Sequence, residues 1–365
     1  MRLARLQISH VRNLTAVDIS LVEGLNLCVG PNGAGKTSLL EAIYLLARGR
    51  SFRTSRIGSV IARGADALIV HADAWDEMRG VVSLGLQKRR DNVAEARIDG
   101  APQRQQSRVA ELLPLQLLLP DGAELVLGAP SERRKFLDWG MFHVEPASLI
   151  TLRDYQRALR QRNVLLRAAR GRRERLPGEA GAWTERLAEI GEAVNALRQR
   201  YVDDVSGTVR RVLAEMAPSL DITMSYYRGW ADGLSLLKSF GESLDRDVKF
   251  GATQAGPHRA DLRLRTATEA AADALSRGQA KALAMALRLA QAQHTASVAG
   301  RGSLFLVDDL GAELDRAHSG RFFSALERMG CQVIATATAD PGDALEYQGT
   351  RAVFHVEHGR CVRTQ

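Results

Sequence analysis

The sequence predicts an α/β fold: a mixed sheet with helices, built from both ends of the chain and interrupted by a mainly helical insertion. Three observations predict it. A glycine-rich loop, Gly30 to Thr37, sits between a strand pattern and a helix pattern. An apolar run, Leu304 to Val307, ends in Asp308-Asp309. Between these two features, from Leu149 to Val212, the apolar period turns helical.

The elements follow in order. Leu3 to His10 and Gly24 to Val29 read as strands, and Leu39, Leu40, Ile43, Leu46 and Ala47 mark a helix after the loop. Ala67 to Ile98 alternates in short segments split by charged turns, as an antiparallel sheet does. Leu152, Tyr155, Leu159 and Leu166 give one helix over 149–169; a Gly/Pro-rich break at 171–181 follows. A second series from Trp183 through Leu187, Ile190, Val194, Tyr201 and Val205 to Val212 predicts a helix roughly 50 Å long. Two long helices joined by a short break make an antiparallel arm. Beyond residue 245 the α/β pattern returns: strand at 262–264, helix 278–296, strand 304–307, helix 316–329, strand 332–337. The expected division is a discontinuous core of 1–125 and 246–365, with an arm domain of 126–245.

Composition bounds the function. At 365 residues the chain is long enough for two units, and 45% hydrophobic with 25% charged residues is a globular composition. The longest apolar stretch, Leu112 to Leu119, is broken by Pro114 and Gln116 and is too short to span a bilayer. The first residues lack a signal-type apolar run. Cys28, Cys331 and Cys361 lie far apart, without metal-type spacing, which points to a reducing cytoplasmic compartment. The net charge is +8, and six lysines leave 44 arginines among the 50 cations. That bias is either a coding preference or a sign of polyanionic partners, which arginine grips with a planar fork.

Gly30-Pro31-Asn32-Gly33-Ala34-Gly35-Lys36-Thr37 fits G-x-x-x-x-G-K-[ST] in the strand–loop–helix setting a P-loop needs. Its backbone N–H groups would converge on phosphate, Lys36 would reach the β- and γ-phosphates of ATP, and Thr37 would bind Mg²⁺. A strand ending in Asp308 places a second Mg²⁺-side carboxylate at the same sheet edge, and Asp309 becomes the water-polarising base. Ser276-Arg277-Gly278-Gln279 opens the Ala/Leu-rich helix; read alone, Ser276 is a plain N-cap. Gln116 is the nearest candidate for a glutamine sensing the γ-phosphate, though the prolines around it equally suit a plain loop. Gly256-Pro257-His258-Arg259 lacks metal-ligand spacing and reads either as a turn or as a loop near the nucleotide.

In this order the P-loop, the acidic strand end and the Ser276–Gln279 turn resemble the ABC-type P-loop ATPase head, with Ser276 to Gln279 as its signature. More narrowly, Leu39-Leu40-Glu41-Ala42-Ile43, Ser51-Phe52-Arg53, Glu132 to Asp138, Gln161-Arg162-Asn163, Gly256 to Arg259 and Asp308 to Asp315 are similar to the bacterial RecF family of DNA replication and repair proteins. The resemblance implies a head like those of SMC proteins with a short helical arm. It implies an ATP-dependent homodimer on DNA that helps load the RecA recombinase at gaps, with RecR and RecO as helpers and a role in SOS induction. It also implies that Ser276, Arg277, Gly278 and Gln279 act in trans on the partner's nucleotide. Three departures stand out: Asp309 stands where ABC ATPases carry glutamate, Thr336 to Asp340 offers no switch histidine, and Arg277 stands where transporters often carry glycine. All three point towards slow hydrolysis used as a timer, and the resemblance implies that it is weak and DNA-stimulated.

The placement of arginines fits DNA, the other readings of the same stripe being a solvated helix face or a site for a helper protein. Arg153, Arg157, Arg160 and Arg167 fall within about 80° of one helix face. Residues 151–175 hold nine arginines against two acids and few aromatics. Such a stripe suits duplex or junction phosphates better than stacked single strands. Two other classes fit part of the pattern: a membrane-transporter ATPase, and a nucleotide-binding scaffold without turnover.

Overall fold

The computed structural model describes residues 1–364 except Asn92, Arg173, Arg175, Leu314 and Asp315, and only the backbone of Ala312, Glu313, Arg316, Ala317, Asp343 and Ala344. The chain forms two compact units: Met1–Gly122 with Glu215–Ala217 and Met285–Gln365, and Ala123–Ala214 with Pro218–Ala284.

Two sheets and the helix Lys36–Arg48 build the first unit. Strands β1 (Arg2–Val11), β2 (Leu14–Ser20), β3 (Leu25–Val29), β4 (Ala67–Asp76), β5 (Gly80–Arg89), β6 (Ala94–Ile98), β7 (Ala101–Gln103) and β8 (Leu115–Leu118) come before the arm. After it come β11 (Leu304–Val307), β12 (Val333–Ala337), β13 (Arg351–Glu357) and β14 (Arg360–Arg363); β9 (Thr223–Tyr227) and β10 (Asp261–Arg265) lie in the second unit. One sheet is antiparallel, in the order β2-β1-β4-β5-β6-β7; the other is mixed, in the order β14-β13-β3-β12-β11-β8. In the mixed sheet all pairs are parallel except β13–β14, and the parallel strands β3, β8, β11 and β12 are largely buried while the edge strand β14 is largely exposed. In β1 the inward set Leu3, Leu6, Ile8 and Val11 breaks strict alternation after Leu3, where the register slips by one residue. A single core takes in side chains of both sheets and the helix.

Gln332 sutures the two sheets. Its buried amide accepts from the Leu3 N–H at 2.7 Å and donates to the Leu3 and Val22 carbonyls at 2.7 and 2.8 Å.

The second unit holds the arm. Helices Ser148–Ala168 and Glu179–Met216 match the predicted pair, the latter starting four residues before Trp183. Arg162 meets Thr184, and a Cβ at Gly191 would lie 3.3 Å from the Tyr155 ring. The positions add to the same sum, so the helices run antiparallel. The division of the chain differs from the expected one. Residues 246–284 lie with the arm, because β10 pairs along its whole length with β9 and Asp261 is clamped by Arg133. The second boundary therefore falls inside the helix Arg277–Ala299.

Replacing Gln332 with Met keeps the volume but orphans the Leu3 backbone. Urea unfolding should show a loss of about 2 to 4 kcal/mol.

Candidate functional site: a nucleotide cradle and an arginine-bearing arm

Strand β3 ends at Val29 and the glycine-rich loop begins one residue later, closing on helix Lys36–Arg48. Gly33 and Gly35 take left-handed φ values of 81° and 118°, which lets the backbone turn its N–H groups into the loop. A Cβ at Gly35 would sit 2.8 Å from the Leu14 side chain, whereas one at Gly33 would meet nothing within 4 Å. The loop is packed on its outside and open within. Lys36 is buried, and its Nζ donates to the Gly30 and Pro31 carbonyls at 2.7 and 3.0 Å.

Two hairpin turns grip the loop from behind. Asn13, between β1 and β2, donates its amide to the Gly33 and Ala34 carbonyls at 3.2 and 3.0 Å and accepts from Ser38 at 3.0 Å. The Gly359 N–H, between β13 and β14, donates to the Ala34 carbonyl at 3.1 Å. Only glycine serves at 359, where a Cβ would fall 2.1 Å from the Asn13 oxygen. The neighbouring Arg12 pairs bidentately, at 2.9 Å twice, with the fully buried Glu41 of the loop's own helix, and Ser51 donates to the same carboxylate. Asn13 and Gly359 carried no sequence signal beyond ordinary turn chemistry.

The acids lie beside the loop. The Thr37 hydroxyl donates to both carboxylate oxygens of Asp308, at 3.0 and 3.1 Å. Thr336 on β12 donates to Asp308 at 2.7 Å and accepts from the Asp309 N–H at 2.8 Å. Asp309 sits at φ 54°, a left-handed turn that swings it away from the buried strand. The sequence marked this stretch only by its missing histidine; Thr336 is instead the residue that ties both acids together. An oxygen pair from Thr37 and Asp308 suits a hard divalent cation, and the open, N–H-lined loop suits a triphosphate. Those residues could hold ATP with Mg²⁺.

The signature-like turn is a reciprocal cap. Ser276 Oγ accepts from the Gln279 N–H at 3.3 Å, and Gln279 Oε1 accepts from the Ser276 N–H at 3.0 Å. All four residues are exposed, and a Cβ at Gly278 would meet nothing. Gln116 lies inside β8, buried, donating to Gln291 at 3.1 Å and accepting from Arg288 at 3.3 Å. It is thus a strand residue, where the prolines around it suggested a plain loop.

On the arm, Arg153, Arg157, Arg160 and Arg167 are exposed on one face while Leu152, Tyr155 and Leu166 are buried on the other. Three other arginines of the insertion are used inside it. Arg162 is buried on Asp247 at 2.8 Å, with Thr253 at 2.7 Å and Phe240 beneath its plane. Arg198 pairs with Asp138 and donates to the Pro257 carbonyl at 2.7 Å. Arg133 is bidentate to Asp261 at 2.7 and 3.0 Å. Leu314 and Asp315 of the acidic run lie outside the described residues.

His258 belongs to the same network. Its Nε2 faces the Thr253 carbonyl at 2.9 Å and must donate, so Nδ1 accepts from the Tyr155 hydroxyl at 2.7 Å. This fixes the neutral tautomer. Burial pushes the imidazole down to about 4, with nearby Arg259 and Arg134 adding to the effect.

A family model described as RecF/RecN/SMC N terminal domain matches residues 2–359. The DNA replication and repair protein RecF of Pseudomonas aeruginosa (strain UCBPP-PA14) is 42% identical over 368 residues, covering 100% of this chain and 98% of the relative. That of Vibrio campbellii is 38% identical over 360 residues, covering 99% of each. A solved structure of the recombination mediator protein RecF-ATPrS in the RecFOR pathway superposes with TM-score 0.87 at 24% identity, over 100% of this chain and 98% of its own. An Smc head bound to the C-winged helix domain of ScpA gives TM-score 0.61 at 15% identity, over 100% of this chain and 97% of its own. The fold is an ABC/SMC-type ATPase head carrying a helical arm.

A histidine that folds neutral near pKa 4, against about 6.5 unfolded, contributes stability in full above pH 6.5 and loses it as pH falls towards 4. That loss should be on the order of 3 kcal/mol in urea unfolding, and an NMR titration should place the His258 midpoint near 4.

Proposed function

The chain belongs to the RecF family of DNA replication and repair proteins, and we propose that it works as an ATP-switched, DNA-binding protein of recombinational repair. The observation that carries this reading is the meeting of Thr37, Asp308 and Thr336 beside an open P-loop. The transporter alternative is not favoured by these relatives. No helix among the described residues is long and apolar enough to cross a membrane.

In this reading Lys36 leaves the Gly30 and Pro31 carbonyls for the phosphates of ATP. Gly30, Pro31, Asn32, Gly33, Ala34 and Gly35 supply the N–H cradle. Mg²⁺ held by Thr37 and Asp308 would neutralise phosphate charge when bound. Asp309 polarises water, and its short side chain, with no histidine following β12, favours slow turnover. The Ser276–Gln279 turn has its hydroxyl and amide engaged in its own cap while Gly278 faces open space. This supports a turn that a second subunit's triphosphate approaches, in a twofold homodimer with two sandwiched nucleotides. The dimer acts on DNA at single-strand gaps and helps load RecA, with RecR and RecO as helpers.

Nucleotide titrations test the site. Lys36→Ala should weaken ATP binding roughly 10- to 100-fold, the range expected when a charge-assisted hydrogen bond is removed. Asp309→Asn should bind ATP normally and trap that state. Unchanged affinity in the first variant, or wild-type hydrolysis in the second, would sink these assignments.

The arm stripe supplies the phosphate contact. Changing Arg153, Arg157 and Arg160 together to Ala should leave ATP binding intact. The salt slope of duplex binding should shrink by about 0.9 for each phosphate no longer neutralised; an unaltered slope moves the DNA off this helix.

A further inference from the structure

The motifs that nucleotide chemistry leaves unused converge on one segment, Thr253 to Asp261. Arg133 clamps Asp261, and Arg134 donates to the Ala260 carbonyl at 2.8 Å. Arg198, anchored on Asp138, holds the Pro257 carbonyl. Asn163 Oδ1 accepts from both the N–H and the hydroxyl of Thr253, at 2.8 and 2.7 Å. Tyr155 and His258 close the loop from the other side. Gly256, at φ 120°, fits because a Cβ there would lie 2.9 Å from the Tyr155 hydroxyl. Burying and pairing this many charges does little for stability by itself, but it fixes one conformation. The segment is a rigid mount.

The mount carries β10 and, through it, β9. Along β10 Leu262 and Leu264 point inward and are buried, so Arg263 and Arg265 point outward. Ser225 and Thr223 stand opposite them on β9 and are also exposed. The Arg263 guanidinium lies over the Tyr227 ring at 4.2 Å, which holds it flat. Arg259 is exposed just before the strand, steadied by the Gln254 amide at 3.1 Å. Among the described residues none of Arg259, Arg263 and Arg265 makes an ion pair. Among the outward residues of β9 and β10 the one acid, Asp261, is already paired with Arg133. Alternate residues of a strand stand about 6.6 Å apart, close to the separation of successive phosphates on a nucleic-acid strand.

We propose that the outer face of the β9–β10 sheet, with Arg259, Arg263 and Arg265 flanked by Thr223 and Ser225, is a second contact for the DNA phosphate backbone. It rests on the DNA-binding reading above and adds a surface to it. The face favours nucleic acid over an acidic protein: a protein partner needs a desolvated apolar anchor at the centre, and the outward residues of the two strands are arginines, hydroxyls, a stacked tyrosine and an aspartate already paired with Arg133. Backbone phosphate needs only charge and donors.

The test is duplex binding by the full chain with ATP and Mg²⁺ over a series of salt concentrations. Arg263→Gln with Arg265→Gln should lower the salt slope by about 1.8 and weaken binding on the order of tenfold at 0.1 M salt, with ATP affinity unchanged. Arg263→Lys with Arg265→Lys keeps both charges and should keep the slope. If loss of the Arg263–Tyr227 stack unfolds the Gln pair, Arg259→Gln alone decides, with an expected drop of about 0.9. An unaltered slope and affinity beside a binding wild type overturns this proposal alone and hands the face to an acidic protein. A wild-type chain that binds no duplex at any salt overturns the functional reading and this proposal together.

Discussion

Thr37 and Thr336 donate to the same carboxylate, Asp308, from positions 271 and 28 residues away in the chain. The rest of the nucleotide cradle depends on that meeting. It requires β3, β12 and β11 to lie parallel with their carboxyl ends level, and the register supplies this: Thr336 stands opposite Cys28, and Ala335 opposite Val307. A one-residue slip in any of these buried strands would exchange the faces of every side chain and withdraw Thr336 or Asp308 from the edge. The apolar runs of β11 and β12, wholly buried, are what prevent the slip.

The glycine loop, the acidic strand end and the paired arm helices were all legible, because each has a local period or spacing that physical chemistry ties to one structure. What stayed illegible was pairing at long range. Strand β8 reads as a proline-flanked loop until Leu304 to Val307 is seen beside it. The C-terminal hairpin β13–β14 shows no loud alternation, yet it supplies Gly359 to the back of the P-loop. The domain boundary was misplaced for a similar reason. Residues 246–284 have α/β composition, but their partners are β9 and Arg133, which no local pattern announces.

The arginine excess separates into two populations once burial is known. Arg133, Arg162 and Arg198 are held by Asp261, Asp247 and Asp138, and they act as internal struts. Removing Arg162 would strand the fully buried Asp247 carboxylate, which is far costlier than forming the pair was beneficial; Asp261 and Asp138 keep some contact with water. Arg157, Arg160, Arg263 and Arg265 are exposed instead. Composition cannot tell internal struts from exposed arginines, because both carry the same planar, always-charged fork. Neighbouring residues in sequence can belong to opposite populations, as Arg160 and Arg162 do, since two positions on a helix differ by about 200°.

The cradle satisfies its own charges. Lys36 is held by two carbonyls of its loop, and Asp308 accepts from two hydroxyls. A bound triphosphate must therefore compete for groups that are already partnered, so only the difference between the two sets of interactions favours binding. Thr336 bonds the Asp308 carboxylate and the Asp309 N–H together, so one hydroxyl positions both acids. That hydroxyl reaches them only because β12 lies parallel to β11 in this register, so the local chemistry of two adjacent residues is set by a contact 28 positions away in the chain.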